Sequence, residues 1–184
     1  MSLRLSGGRK LISPPGEIAR PTTARVRLAV MNLLAPDLAG CRWLDLFCGS
    51  GVMGCEALQR GAAAVVAVER HHRVAAAARR NLEAVALGLA GSGKRPSTQL
   101  EAREVLGWLE SAPVTAFDLI YADPPYGAGL HGPVAERIAQ RGWLTPEGRM
   151  VWECSSTAIP DVPDGWALRG QRRYGSTSLL ILSR

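Results

Sequence analysis

Residues 45–54 read D-L-F-C-G-S-G-V-M-G, and the reading of this stretch decides the fold. It closes the apolar segment CRWL with glycines at the spacing GxGxxG, namely Gly49, Gly51 and Gly54. Glycine at these points lets a strand turn tightly into a helix and lets a ligand touch bare backbone. Glu69 ends the next apolar segment, AAVVAVE, where an acid can take both hydroxyls of a ribose. A strand, a glycine turn, a helix and a second strand ending in an acid form the opening unit of a nucleoside-binding α/β fold.

Strands and helices alternate outward from this unit. CRWLDLFC, AAVVAVE, TQLEARE, FDLIYADP and GRMVWEC read as buried strands, and VMGCEALQR, HRVAAAARRNLEAVAL, VLGWLE and GPVAERIAQR read as the helices between them. Continuous apolar strands separated by helices make a parallel sheet covered on both faces. WALRGQRRYG and STSLLILS follow each other across a bare turn, so the chain is expected to end in an antiparallel hairpin. The expected fold is α/β and Rossmann-like, a mostly parallel sheet of about seven strands with helices on both faces. Upstream, TTARVRLAVMNLLA places Val26, Ala29, Val30, Leu33 and Leu34 on one helical face, with Thr22 or Thr23 as cap and Pro36 as terminator. Residues 11–21, LISPPGEIARP, read as a linker, and residues 88–97, GLAGSGKRPS, as a surface loop without the full phosphate-loop spacing.

The 184 residues suit one domain, 1–184, with residues 1–21 as a basic arm and linker. Twenty-two Lys and Arg against 16 Asp and Glu leave a charge of +6, which suits a polyanionic partner. The surplus is concentrated early: residues 1–30 carry Arg4, Arg9, Lys10, Arg20, Arg25 and Arg27 against the single acid Glu17. No apolar run approaches the roughly 20 residues of a membrane span. MSLRLSGGRKL also lacks the apolar core of a secretory signal, so the chain is expected in the cytoplasm. Cys41, Cys48, Cys55 and Cys154 form no CxxC pair and read as buried reduced thiols, not metal ligands. Trp43, Trp108, Trp143, Trp152 and Trp166 lie in apolar stretches and read as packing residues.

The glycine loop alone admits a nicotinamide dinucleotide, whose pyrophosphate would sit at the helix N-terminus. Asp45, on the strand just ahead of the loop, argues otherwise. A carboxylate there repels a pyrophosphate but accepts hydrogen bonds from an amino-acid ammonium. S-adenosylmethionine carries such an ammonium, a sulfonium and no phosphate. The competing reading of Asp45 is a cap on the turn it precedes. Glu104, opening the helix EVLGWL, reads equally as an acceptor for an adenine amine or as a complement to the helix dipole.

FDLIYA ends in D-P-P-Y, residues 123–126, at the strand edge where ligands bind in an open parallel sheet. Two prolines make a stiff loop with free carbonyls. The Asp123 carboxylate and the Pro124 carbonyl can each take one hydrogen of an exocyclic base amine. Tyr126 offers a flat face for the base, a contact worth roughly 1–3 kcal/mol in nucleic-acid systems. Such an amine is a poor nucleophile until its lone pair is turned out of the ring, so positioning is what the site must provide.

With these residues in hand, the chain resembles a known family. DPPY looks like motif IV of the amino-group methyltransferases and DLFCGSG like their motif I. RPTTARVR (20–27), NLLAP (32–36), DLFCGSGVMGCEALQRGA and GWL (142–144) together resemble the RsmD-type enzymes. The resemblance implies a class I methyltransferase fold that uses S-adenosylmethionine to methylate a guanine N2 in 16S ribosomal RNA, free or in the assembling small subunit, as a monomer. It assigns cofactor contacts to Asp45, Phe47, Gly49, Gly51, Glu69 and Glu104. The target base falls to Asp123, Pro124 and Tyr126, and RNA phosphates to Arg9, Lys10, Arg20 and Arg25. The chain departs from the family's pattern at Ala24 and Leu28, and in the shortened opening SGGRKL. The alternatives are a DNA or RNA adenine-N6 methyltransferase, a nicotinamide-dependent oxidoreductase, and an RNA-binding module without catalysis.

Overall fold

A computed structural model describes residues 3–14, 22–91 and 93–184. Its centre is one seven-stranded sheet of order β3-β2-β1-β4-β5-β7-β6. The strands are β1 (Arg42–Leu46), β2 (Ala64–Val68), β3 (Ser97–Glu101), β4 (Phe117–Ala122), β5 (Leu144–Ser155), β6 (Ala167–Tyr174) and β7 (Thr177–Ser183). β1 to β5 pair in parallel, while β7 runs antiparallel to both β5 and β6. The class I methyltransferase architecture expected from the sequence is the one observed, terminal hairpin included.

Alternation along β1 explains the two covered faces. Trp43 enters a core shared with Val26 and Val30 of α1 (Ala24–Leu33), Cys55 and Leu58 of α3 (Val52–Gln59), and Leu82 of α4 (His72–Ala90). Leu44 and Leu46 enter the opposite core with Trp108 of α5 (Val105–Ser111) and Ile138 of α6 (His131–Arg141). The tryptophans pack as expected, all within the buried set. Trp108 and Trp143 meet at 4.7 Å between ring centroids, and the Trp143 indole N–H donates to the Leu109 carbonyl at 3.1 Å. The four cysteines are buried and free.

Boundaries differ from the sequence reading at four places. Thr23 caps α1, accepting from the Val26 N–H at 3.3 Å, but Pro36 does not terminate that helix. Instead it sits in the first turn of a short α2 (Ala35–Leu38), where a proline's missing N–H costs nothing. α4 runs through Gly88 to Ala90, which shortens the expected loop. β5 begins at Leu144, since Phe117 already pairs with Leu144 before an irregularity in the register. The opening residues are docked: Leu5 and Leu11 are buried, Arg4 bridges to Lys10 in antiparallel fashion, and Leu5 N–H donates to the Arg9 carbonyl at 2.9 Å. Residues 15–21 of the expected linker lie outside the described residues. No described helix is long and apolar enough to cross a membrane.

Candidate active site

The sheet order reverses between β1 and β4, both parallel and adjacent, and such a switch point opens a crevice beyond the strands' carboxyl ends. Leu46 pairs with Ala122, and the Asp123 N–H points to the Leu46 carbonyl at 3.5 Å. The glycine loop and DPPY therefore leave neighbouring strands side by side, about 5 Å apart.

The loop is held in sparsely populated backbone conformations. Phe47 has φ 61°, a left-handed value unusual for a side chain with a Cβ, and Gly49 and Gly51 follow at 52° and 73°. Gly51 then caps α3. Gly54 serves packing instead: a Cβ there would lie 2.8 Å from Val65 Cγ1 and 3.1 Å from Leu82 Cδ2. This lets α3 approach β2 and α4 closely.

Asp45 projects into the face that otherwise holds Trp43, and it is 1% exposed. Its Oδ2 accepts from the Gly54 N–H at 3.0 Å, so the capping reading is realised. Its Oδ1 is buried and has no hydrogen-bond partner among the described residues. Burial, partly relieved by the Gly54 N–H and reinforced by the charge of Glu69, pushes the carboxyl up to about 7. An orphaned buried acceptor beside a glycine loop fits an ammonium donor and does not fit a pyrophosphate. Glu69 braces the loop from β2, accepting from the Gly49 N–H at 3.1 Å and from the His71 N–H at 2.9 Å. Burial, then Asp45 and Glu69, push the Cys48 thiol far up, so it stays protonated in the loop. Glu104 caps α5, its oxygens accepting from Leu106 and Gly107 N–H at 3.0 and 2.7 Å.

Across the crevice, Pro124 is buried, Asp123 half-buried and Tyr126 exposed, 43% of its surface open to solvent. The Tyr126 hydroxyl lies 3.5 Å from the Thr177 hydroxyl, and the Ala128 N–H closes the loop on the Pro125 carbonyl at 3.1 Å. Two buried groups beneath were missed in the sequence. The Tyr121 hydroxyl donates to Glu153 Oε2, and the His131 ring bonds the Glu153 carbonyl at 2.9 Å. Burial, then the charges of Glu153 and Asp123, hold Tyr121 as a phenol, and burial keeps His131 toward its neutral form. The signal available was one acid inside the apolar run MVWEC.

Asn81 was missed as well, although it stands on the apolar stripe of α4 between Ala78 and Leu82. It accepts from the Ile12 N–H at 2.8 Å and donates to the Ile12 and Ser50 carbonyls, both at 3.0 Å. One side chain thus ties the N-terminal segment to the glycine loop. Arg9 and Lys10 line a hollow of about 440 Å³ against Arg80 and Asn81, and Arg9 donates to the Ala84 carbonyl at 2.6 Å. Arg25 is exposed, its guanidinium 5.8 Å from the centroid of the Tyr174 ring. Arg20 lies outside the described residues.

Known proteins match this arrangement over nearly the whole chain. The family model described as Conserved hypothetical protein 95 matches residues 5–183. Ribosomal RNA small subunit methyltransferase D of Escherichia coli (strain K12) is 30% identical over 178 residues, covering 96% of this chain and 85% of that protein. The protein of the same name from Haemophilus influenzae is 30% identical over 174 residues, covering 93% and 86%. The solved structure of Escherichia coli yhhF, provisionally designated a methyltransferase, aligns with a TM-score of 0.83 at 28% identity, over 100% of this chain and 98% of that one.

Proposed function

The chain belongs to the Conserved hypothetical protein 95 family together with the ribosomal RNA small subunit methyltransferase D proteins, and we propose that it methylates the exocyclic N2 amine of a guanine in 16S ribosomal RNA. The observation that supports this most directly is the juxtaposition at the β1–β4 switch point. There the orphaned Asp45 carboxylate and the glycine loop stand beside DPPY.

S-adenosylmethionine would supply an electrophilic methyl group on a sulfonium. Asp45 Oδ1 would take its ammonium, Phe47, Gly49 and Gly51 would line it with backbone, and Glu69, already bracing the loop, would meet the ribose. Glu104 would border the adenine with the oxygens that cap α5. At the other wall the Asp123 carboxylate and the Pro124 carbonyl would accept the two hydrogens of the guanine amine, turning its lone pair toward the methyl carbon. Tyr126, exposed at the rim, would hold the base by its ring face. The cofactor would supply the methyl group and keep the bonding electrons on its sulfur as a neutral thioether, and the Asp123 carboxylate would hold the surplus amine proton before its loss to water. The base must be unstacked to enter, because an amine within a helix cannot be approached in line. Arg9, Lys10, Arg20 and Arg25 would meet phosphates, which position the RNA without reading sequence. On this reading the enzyme would act in the cytoplasm as a monomer, on RNA or on the assembling small subunit.

The test is transfer of labelled methyl from S-adenosylmethionine to small-subunit RNA, with duplex DNA in parallel and the modified nucleotide mapped. Asp123→Ala should lower kcat by at least about a hundredfold, since removing groups that act on the reacting atoms costs this much or more. Cofactor affinity should persist. Undiminished transfer by that variant, or label on adenine, would overturn the assignment.

A further inference from the structure

β6 is an outer strand, paired with β7 alone. Alternation places Gly170, Arg172 and Tyr174 on one face and Gln171 and Arg173 on the other. The first face looks toward α1: Tyr174 packs on the same core as Val26 and Val30, and Arg25 of α1 sits over its ring. Between helix and strand runs an open groove of about 370 Å³, lined by Arg25, Leu28, Ala29, Asn32, Leu33 and Tyr174. Arg172 lies two residues before Tyr174 on the strand, about 7 Å away.

The charge of this groove has one sign. Neither residues 24–33 nor residues 166–184 contain an acid, whereas they hold Arg25, Arg27, Arg169, Arg172, Arg173 and Arg184. Arg27 is drawn inside to Glu56 and Arg184 lies over Trp166. Among the described residues, Arg25, Arg172 and Arg173 pair with no carboxylate. Arg172 donates to the neighbouring Gln171 carbonyl, and Arg173 to the Gly175 carbonyl of the hairpin turn. The ring of Tyr174 holds the Arg25 guanidinium by a cation–π contact and so aims a fixed charge over the groove. Leu28 is 45% exposed and gives the groove an apolar wall.

The groove ends at the candidate active site. Tyr174 pairs with Thr177 across the β6–β7 turn, and the Thr177 hydroxyl is the neighbour of the Tyr126 hydroxyl. We propose that this groove is the track for the single-stranded RNA that adjoins the target nucleotide, with Arg25 and Arg172 taking successive phosphates and Leu28 taking a ribose or base face. The track rests on the RNA reading of the site. It adds Arg172, Tyr174 and the outer strand to the binding surface, and it gives the exposed Arg172 of an edge strand a part in binding.

The experiment compares Arg25→Gln, Arg172→Gln and their double variant with Arg173→Gln, which removes the same charge from the opposite face of the same strand. Affinity for a labelled single-stranded oligoribonucleotide is measured across a salt series, the KM for small-subunit RNA is measured in the methylation assay, and a cofactor titration checks that each variant is folded. Each groove variant should lose several-fold in affinity and flatten the log–log salt dependence by about 0.7 per phosphate contact removed. Its KM for RNA should rise, while Arg173→Gln stays with the wild type. Equal slopes for groove variants and wild type overturn the track, as does an equal loss in Arg173→Gln, which would make the effect one of net charge. Groove variants that keep naked-RNA affinity, and fail only on RNA carrying ribosomal proteins, overturn it in favour of a protein contact. If the wild type binds RNA but transfers no methyl to it, the methylation reading falls, and a slope change confined to the groove variants still upholds the track.

Discussion

Replacing Asp45 with asparagine should stabilise the cofactor-free protein at pH 8 relative to pH 5 while weakening its hold on the cofactor. The carboxyl is 1% exposed, with one oxygen on the Gly54 N–H and the other without a partner among the described residues. Burial moves it from 3.8 to about 7. Between those values the folded protein keeps a proton that the unfolded chain has released, so folding stability falls as pH rises through the window and levels off above 7. Roughly three pH units at about 1.4 kcal/mol each amount to a loss on the order of 4 kcal/mol. An amide cannot ionise and escapes that slope. It keeps an oxygen for Gly54, although its NH₂ group meets no acceptor, at a cost of about 1–3 kcal/mol that is the same at both pH values.

Urea denaturation of both proteins without cofactor, at pH 5 and pH 8, isolates the charge. From the lower to the higher pH the difference between variant and wild type should shift toward the asparagine form by about 3 kcal/mol, the part of that loss that falls between pH 5 and 7. A shift under about 0.5 kcal/mol, the usual scatter for neutral surface changes, would refute the claim that this carboxylate is buried at a cost. Calorimetric titration with S-adenosylmethionine addresses the other half. Wild-type affinity should climb as pH rises through about 7, the range in which the carboxyl ionises. The asparagine variant should bind about 10- to 100-fold more weakly at pH 8, the worth of a charged hydrogen bond. Equal affinities would remove the ammonium from Oδ1.

Packing and buried polar contacts give two further outcomes. Gly54→Ala puts a methyl 2.8 Å from Val65 Cγ1, so α3 must move off β2. Urea unfolding should show a loss of about 1–3 kcal/mol, and a neutral result would mean that the interface yields freely. Tyr121→Phe removes the hydroxyl that donates to the buried Glu153 carboxylate, which should also lower stability by about 1–3 kcal/mol. Unchanged unfolding would show that Glu153 is satisfied without the phenol.

The features read directly from the sequence are those whose cause is local. Glycine spacing, the apolar runs of β1, β2 and β4, and the turn between β6 and β7 are each settled within about ten residues by backbone sterics and side-chain period. The mostly parallel sheet followed from the alternation of elements, because buried strands separated by helices return in the same direction, while the order of the strands came only with the structure. What escaped depends on partners that only the finished topology brings together. Asn81 could be picked out as a polar residue on an apolar stripe, but its partner Ile12 is 69 positions away in a segment read as a linker. Tyr121 and Glu153 each look like ordinary strand residues until β4 and β5 lie side by side, 32 positions apart in sequence.

Arg25 and Arg27 show how far the same sequence can be pressed. A charge count places both in one basic run. Two residues on a helix are about 200° apart, however, and Arg27 shares its side with Val30 and Met31, three and four positions on, both fully buried. An arginine on that side must find a carboxylate inside, and Glu56 supplies it: Oε1 lies 3.8 Å from Arg27 Nε and also accepts from the Ser6 N–H at 2.7 Å. Arg27 Nη2 donates in turn to the Arg4 carbonyl at 2.8 Å. The buried charge therefore fastens the N-terminal segment to α1 and α3, and Arg25, on the other side of the same turn, is left exposed over the Tyr174 ring. Helical phase separates the anchoring arginine from the exposed one before any contact is known, whereas net charge treats them as equals.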